Sequence, residues 1–176
     1  MSDSSVVARP YSAGDFLSAE NLDRADETAT EIFKVMFGLS IQSVDTSHCD
    51  LLDPEDNERT AVVGFSGAMR GSCQIRVSTA GVQLIASAML GGMPVEEDDD
   101  SLNDALGELC NMLAGGWKNG VPSLSAACAL SPPTVISGKD YKVHVRMPSV
   151  KLLRTYLFDG HTLQLTLHCE DIESAR

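Results

Sequence analysis

The chain has 176 residues, of which 43% are hydrophobic, and its 25 acidic against 13 basic residues give a net charge of −12 at pH 7. That length and apolar content are enough for one domain with its own core. A chain this acidic repels nucleic-acid backbones and anionic lipid surfaces, so we expect no nucleic-acid and no membrane partner. A partner that presents lysine or arginine is favoured instead.

The cysteines give no sign of a disulfide framework or a metal site. They are odd in number, lie far apart and show no metal-ligand spacing, at Cys49, Cys73, Cys110, Cys128 and Cys169. Reduced, mostly buried thiols are the expected state. The first residues lack the apolar core of a signal peptide, and no run approaches the ~18 apolar residues of a membrane span. We therefore expect a cytoplasmic protein without a metal of its own.

The start of the chain predicts a leader followed by a long helix. Residues 1–17 hold few large apolar side chains, so we expect a flexible leader ahead of a domain at 18–172. From Ser18 onward apolar residues recur at three- and four-residue steps, which is typical of an amphipathic helix. Ser18 is the expected N-cap of this helix, and Gly38 is the expected stop.

An extended segment, a hairpin and a short helix are predicted next. Residues 39–52 favour extended chain, and a turn is expected at Asp53–Asn57. Two β-rich runs flank the glycine-bounded stretch Gly67–Gly71, which indicates a hairpin. A short helix over Thr79–Leu90 is expected to stop at Gly91-Gly92.

The rest of the chain predicts an acidic loop, a second long helix and further strands. The loop "PVEEDDD" precedes the helix, where carboxylates favour the helix dipole. Strand candidates are 133–147 (broken around Gly138), 150–158 and 161–169. Asp159-Gly160 between the last two is typical of a tight turn. Together these elements predict an α+β fold, with helices packed on a largely antiparallel sheet.

The second long helix, residues 102–118, separates into two faces at about 100° per residue. Its expected buried stripe is centred on Leu109. The opposite face is predicted to be an exposed strip formed by Asp104, Glu108, Asn111, Gly115 and Lys118. Glu108 and Asn111 project from adjacent turns of this strip, close enough to act on one small target. Gly115 would let a partner approach the helix, whereas Gly116 is expected to permit tight internal packing.

Three stretches of the sequence together resemble the CheC/CheX/FliY chemotaxis phosphatases. "LGGMPVEEDDDSLNDALGELCNMLAGGWK" is similar to the family's short helix, acidic loop and Asp-x3-Glu-x2-Asn-Met-Leu/Ile-x-Gly signature. "FSGAMRGSCQIRVS" looks like the family's hairpin, and "LSPPTVISGKDY" resembles its Ser-x-Pro-Thr-Val segment. The likeness runs in the same order from about residue 20 to residue 170. It implies a CheC/CheX-like single domain, with two long helices and a short one on a mostly antiparallel sheet.

The resemblance is to CheX rather than CheC. A CheC-like chain would repeat the Glu-x-x-Asn site in its first helix, but here Glu31 is followed three residues later by Lys34. One site per chain is similar to CheX, whose members are homodimers joined through their sheets. The resemblance therefore implies a homodimer.

The function implied by the resemblance is dephosphorylation of a CheY-type response regulator, which carries an aspartyl phosphate. Glu108 would pair with the receiver's lysine, and Asn111 would orient the attacking water. Asp104, Gly115 and Lys118 would contact the partner. No cofactor of the chain's own is implied, because the receiver supplies Mg²⁺.

Other functions remain open. A catalytically silent receiver-binding or flagellar-switch-like module of the same fold would use the same strip without hydrolysis. A metal or thiol catalyst is disfavoured, since each pair, His48-Cys49 and His168-Cys169, lies in a strand region where neighbours point to opposite faces. Trp117 is expected to pack internally, with a partner contact as the alternative.

Overall fold

The computed structural model describes residues 11, 13–45, 58–97, 100–138, 141, 143–144 and 149–170. The helices are α1 (Ala13–Phe16), α2 (Ala19–Ile32), α3 (Thr79–Met89), α4 (Ser101–Asn119) and α5 (Pro122–Ser125), and a π-helical segment, Phe33–Phe37, extends α2. The strands are β1 (Gln42–Val44), β2 (Glu58–Gly67), β3 (Gly71–Ser78), β4 (Cys128–Leu130), β5 (Thr134–Gly138), β6 (Ser149–Phe158) and β7 (His161–Glu170).

The strands of the described residues form one sheet in the order β1-β6-β7-β3-β2-β4, with β5 also paired to β2. Every one of these pairings is antiparallel. Helix α4 packs against β2, β3, β4 and β5, α3 packs against β2, β3 and β7, and α2 packs on α4. The predicted α+β architecture is confirmed.

The core is one apolar cluster shared by the helices and the sheet. Its largest fully buried side chains are Trp117, Tyr156, Phe16, Phe33, Phe158, Ile75, Ile85, Leu102, Leu106, Leu109, Leu113 and Leu124. Trp117 is packed edge-on against Phe16 at a ring-centroid distance of 5.8 Å. The expectation that Trp117 packs internally is therefore confirmed, and its 1% exposure leaves no surface for a partner.

The predicted ends of several elements are confirmed. The Ser18 hydroxyl accepts a hydrogen bond from the backbone N–H of Asn21, as an N-cap does. Gly38 ends the π-helical segment in the left-handed conformation with φ 67°. Asp159 (φ 42°) and Gly160 (φ 80°) form the tight turn between β6 and β7, where both central residues need positive φ.

The end of the predicted leader is not loose. Ala13–Phe16 form one helical turn, and Phe16 is fully buried. A single large aromatic side chain in a segment otherwise poor in apolar residues is enough to anchor this turn against Trp117. The domain core therefore begins before the predicted boundary at residue 18.

Two short elements after α4, namely α5 and β4, were not predicted because three or four residues carry too little periodicity. The turn predicted at Asp53–Asn57 lies outside the described residues. So does much of the predicted strand over 133–147, of which Thr134–Gly138 is observed as β5. Among the helices that the structure describes, none has the length and apolar character to cross a membrane.

Candidate functional site

The site is built on α4, which spans Ser101–Asn119 and so extends one residue beyond each predicted end. Its buried residues are Leu102, Ala105, Leu106, Gly107, Leu109, Cys110, Leu113, Ala114, Trp117 and Lys118. The leucines of the predicted stripe are buried, as expected, whereas Met112 is only partly buried. The buried arc, however, extends further round the helix than the wheel predicted.

Small residues explain why one side of α4 is more buried than predicted. A Cβ on Gly107 would lie 3.2 Å from Cγ of Pro133. The thiol of Cys110 lies 3.6 Å from the carbonyl oxygens of both Ala61 and Cys73. Because the side chains here are short, the sheet and the segment before β5 approach the helix closely. The exposed strip therefore does not include that side of the helix.

Lys118 does not belong to the exposed strip, and its predicted exposure is wrong. The residue is only 8% exposed, and its ammonium group donates a hydrogen bond to the backbone carbonyl of Ser125 in α5. The four-residue helix α5 folds back beside the end of α4 and supplies this acceptor. Lys118 thus serves an internal contact that the wheel did not anticipate.

Glu108 and Asp104 are exposed, and Asn111 is half-buried. Among the described residues, none makes a side-chain hydrogen bond or ion pair with these three side chains. Glu108 and Asn111 lie on successive turns of one rigid helix, so their separation is fixed by the backbone. The carboxylate of Glu108 and the amide of Asn111 are therefore held near each other, and neither has a hydrogen-bond partner among the described residues.

Gly107 and Gly115 lie one turn before and one turn after Asn111, so these three residues form one row along α4. A Cβ on Gly107 would meet Pro133, and a Cβ on Gly115 would meet only Cδ1 of Leu130, at 3.8 Å. The chain from Leu130 to Pro133 therefore runs beside this row of residues. Its closeness explains why Asn111 is half-buried. An ordinary 3.8 Å contact does not require glycine at position 115, so its role toward a partner stays a prediction.

Gly116 is exposed rather than buried, but it permits close packing against a neighbouring helix, as predicted. A Cβ at this position would lie 2.6 Å from Cγ2 of Thr28 in α2. That distance is well inside van der Waals contact, so the glycine lets α2 and α4 pack closely. The two adjacent glycines of α4 thus face different neighbours.

The stretches that carry the family resemblance meet around α4. The hydroxyl of Ser131 accepts a hydrogen bond from the N–H of Gly64 at 2.8 Å, and the N–H of Ser131 donates to the Gly64 carbonyl at 2.9 Å. These bonds fix the Ser-x-Pro-Thr-Val segment to the β2–β3 hairpin. The same segment then contacts α4 through Pro133. The hairpin, this segment and the Glu-x-x-Asn helix thus form one structural unit.

A groove beside Glu108 was missed by the sequence analysis. It has a volume of 280 Å³, lies between α3 and α4, and is lined by Ala86, Met89, Leu90, Ser101, Asp104, Ala105 and Glu108. The three- and four-residue spacing of Ala86, Met89 and Leu90 was a signal for it. Wheel positions alone did not show that α3 leaves this side of α4 open.

The thiols and histidines offer no competing site in the part of the chain that the structure describes. A hydrogen bond with Cys110, together with burial, raises the pKa of the Cys73 thiol. Burial and the nearby charge of Lys151 lower the pKa of His168. Cys169 is buried while His168 is half-exposed, which confirms their opposite orientation. His48-Cys49 lies outside the described residues, and no cluster of metal-ligating side chains occurs within them.

Comparison with known proteins identifies the family. A family model described as "Chemotaxis phosphatase CheX" matches residues 59–153, just over half of the chain and including all of α4. The chain belongs to the CheX family. The matched residues contain the three stretches on which the resemblance rested, so that reading of the sequence is confirmed.

A curated CheX relative is the CheY-P phosphatase CheX of Thermotoga maritima. It is 37% identical over 82 residues, covering 47% of this chain and 53% of the relative. The chain thus spans about half the length of the curated relative that it matches.

Solved CheX structures share the fold. The chemotaxis protein CheX of Vibrio vulnificus has a TM-score of 0.71 at 19% identity, covering 86% of this chain and 97% of that chain. CheX in the CheX–CheY–BeF3–Mg²⁺ complex of Borrelia burgdorferi has a TM-score of 0.66 at 16% identity, covering 85% of this chain and 97% of that chain.

Proposed function

We propose that this chain acts in the cytoplasm as a phosphatase of a phosphorylated CheY-type response regulator. The observation that carries the proposal is the pair Glu108 and Asn111, held one turn apart on α4 without internal partners among the described residues. Family membership supports it, since the matched relative in Thermotoga maritima is named a CheY-P phosphatase. A CheX protein with this fold has been solved with CheY, beryllofluoride and Mg²⁺.

Asn111 is proposed to position the attacking water. Hydrolysis of an aspartyl phosphate needs a water oxygen in line with the bond from phosphorus to the carboxyl oxygen. The amide oxygen of Asn111 would accept a hydrogen bond from that water, and the rigid helix would fix its place. The Leu130–Pro133 segment, which lies beside Gly107 and Gly115, would restrict the rotamers of this amide. The receiver supplies the Mg²⁺ that stabilises the transferring phosphoryl group.

Glu108 is proposed to bind rather than to transfer a proton. Its carboxylate is exposed and would pair with the lysine of the receiver, which fixes the register of α4 against the partner. Asp104 lies one turn earlier on the same exposed side and would add negative charge to the same contact. Gly115 would leave room for the partner's backbone.

The experiment follows the lifetime of a phosphorylated receiver in the presence of catalytic amounts of this protein. We expect Asn111→Ala to lower stimulated hydrolysis by roughly 10²-fold or more, because the water is no longer positioned. Glu108→Ala is expected to weaken receiver binding above all. Inorganic phosphate release is the measurement.

The matched control lies at an exposed position on another helix. Glu31→Ala, on α2, should retain full activity. Full activity of Asn111→Ala would contradict the proposed role of the amide. If the wild-type protein bound the phosphorylated receiver without shortening its lifetime, the chain would be a catalytically silent binding module and not a phosphatase.

The resemblance also leads us to propose a homodimer that forms through the sheets. The supporting observation is that β6 carries Leu153 and Leu157, each 39% exposed. They alternate with the buried Leu152 and Tyr156, so they lie on the sheet face opposite the core. A second copy packed on this face would cover both leucines.

A further inference from the structure

The groove between α3 and α4 combines an apolar lining with two acidic residues at its border. Ala86 and Ala105 are small and buried, so they leave the groove its depth, and Met89 adds a half-buried apolar side. The lining is mostly apolar, and the exposed acidic residues Asp104 and Glu108 border it on the other side. A groove of this composition favours an apolar side chain that has positive charge beside it.

Leu90 forms the exposed rim of this groove. It is the residue directly after α3 and is 43% exposed. Gly91 (φ 71°) and Gly92 (φ 90°) follow at once and turn the chain in conformations that other residues rarely adopt. A large apolar side chain is thus presented at the surface, next to a carboxylate that has a proposed role in partner binding.

We propose that this groove is a second anchor for the receiver and takes up one of its apolar side chains. The proposal rests on the proposed function, because the groove shares Glu108 with the proposed phosphatase site. The occupant is a receiver-domain surface on which an apolar side chain lies close to the lysine that pairs with Glu108. An apolar anchor in a desolvated pocket, bordered by a charged pair, is the usual composition of a binding hot spot.

The groove also gives a reason for partner selection. A lysine and a phosphorylated aspartate are features that Glu108 and Asn111 would meet in any receiver, so they do not distinguish one from another. An apolar residue beside them could differ in size and shape from one receiver to another, and this difference would distinguish them. A groove of 280 Å³ with a fixed alanine floor would accept some of these residues and exclude others.

The test measures binding of this protein to a CheY-type receiver from the same organism, loaded with Mg²⁺ and beryllofluoride. Leu90→Ser removes the apolar rim, and Ala105→Leu fills the floor of the groove. Each is expected to weaken binding by roughly tenfold or more. In the phosphatase assay both should raise KM while kcat stays near the wild-type value, since they remove binding that is common to the ground state and the transition state.

Leu17→Ser is the matched control, because Leu17 is 50% exposed and follows Phe16, which packs at the opposite end of α4. It should bind as the wild type does. Wild-type affinity of both groove variants would overturn the proposal while leaving the function of Glu108 and Asn111 intact. If the wild type binds but does not hydrolyse, groove-dependent affinity still supports the anchor. Absence of any wild-type binding would overturn both proposals.

Discussion

Gly115 and Gly116 are adjacent in α4, yet substitution should affect them in opposite ways. A Cβ on Gly115 meets nothing closer than 3.8 Å, so Gly115→Ala should raise the free energy of unfolding by roughly 0.5–1 kcal/mol through better helix propensity. A Cβ on Gly116 would lie 2.6 Å from the stiff side chain of Thr28. Gly116→Ala should therefore lower the free energy of unfolding by roughly 1 kcal/mol or more. Urea denaturation measures both.

Gly115→Ala also separates the stability of the helix from its docking. If Gly115 leaves room for a receiver, the more stable variant should bind that receiver less tightly than the wild type. Equal stabilisation by both alanine substitutions would show that α2 moves slightly to accommodate a methyl group at position 116. In that case the close packing of α2 on α4 would not explain the glycine.

At the scale of elements, local patterns predicted most of the fold. The Ser18 cap, the Gly38 stop and the Asp159-Gly160 turn each depend on a few neighbouring residues, and the structure confirms them. The orientation of α4 was predicted less well. Which residues it buries depends on how closely β2, β3 and the segment before β5 approach it, and on α5, which is too short to leave a pattern in the sequence. Lys118 is the clearest case, since its acceptor lies in α5.

The candidate site was likewise predicted where a single helix decides the arrangement and was missed where two helices must be placed beside each other. Glu108 and Asn111 were predicted from their spacing and from a family resemblance, because one helix turn fixes both. The groove was not predicted, because it needs α3 and α4 to be placed beside each other. Long-range packing decides which spaces between helices remain open. A pattern along one element can indicate an apolar side, as on α3, but not whether a neighbouring helix leaves that side open.

Arg59 connects the start of β2 to the loop and the first turn that precede Glu108. It is 9% exposed, and its guanidinium donates to Oδ1 of Asn103 at 2.6 Å and to the carbonyl of Glu97 at 2.7 Å. Arg59→Met keeps much of the packing but leaves two acceptors without this donor. We expect it to lower the free energy of unfolding by roughly 1–3 kcal/mol and to speed amide hydrogen exchange over residues 97–107.

Arg154→Met is the comparison for Arg59→Met. Arg154 pairs with Asp26 of α2 at 3.2 Å, on a different part of the molecule. It should cost stability without a selective change in exchange over residues 97–107. Equal exchange profiles for the two variants would show that Arg59 contributes only to global stability. In that case it would not position the start of α4.

At the scale of the whole molecule, charge opposes the proposed dimer and apolar contact must overcome it. Two chains with a net charge of −12 each repel one another. Added salt screens that repulsion over a Debye length of about 10 Å at 0.1 M ionic strength. Burial of Leu153 and Leu157 on the open sheet face would supply the attraction. We therefore expect the dimer to tighten as salt rises.

Leu153→Arg tests this interface, and sedimentation velocity at several salt concentrations measures the outcome. Each dimer would contain two such positions, and burying an arginine without a partner at both should shift the protein to monomer at micromolar concentration. Leu17→Arg adds the same charge at an exposed leucine that directly follows α1 rather than on β6, and it should leave the dimer intact. Dissociation by both variants would assign the effect to charge alone. A dimer that survives Leu153→Arg would place the interface elsewhere. If Leu153→Arg is monomeric but still dephosphorylates the receiver, each chain contains a complete site.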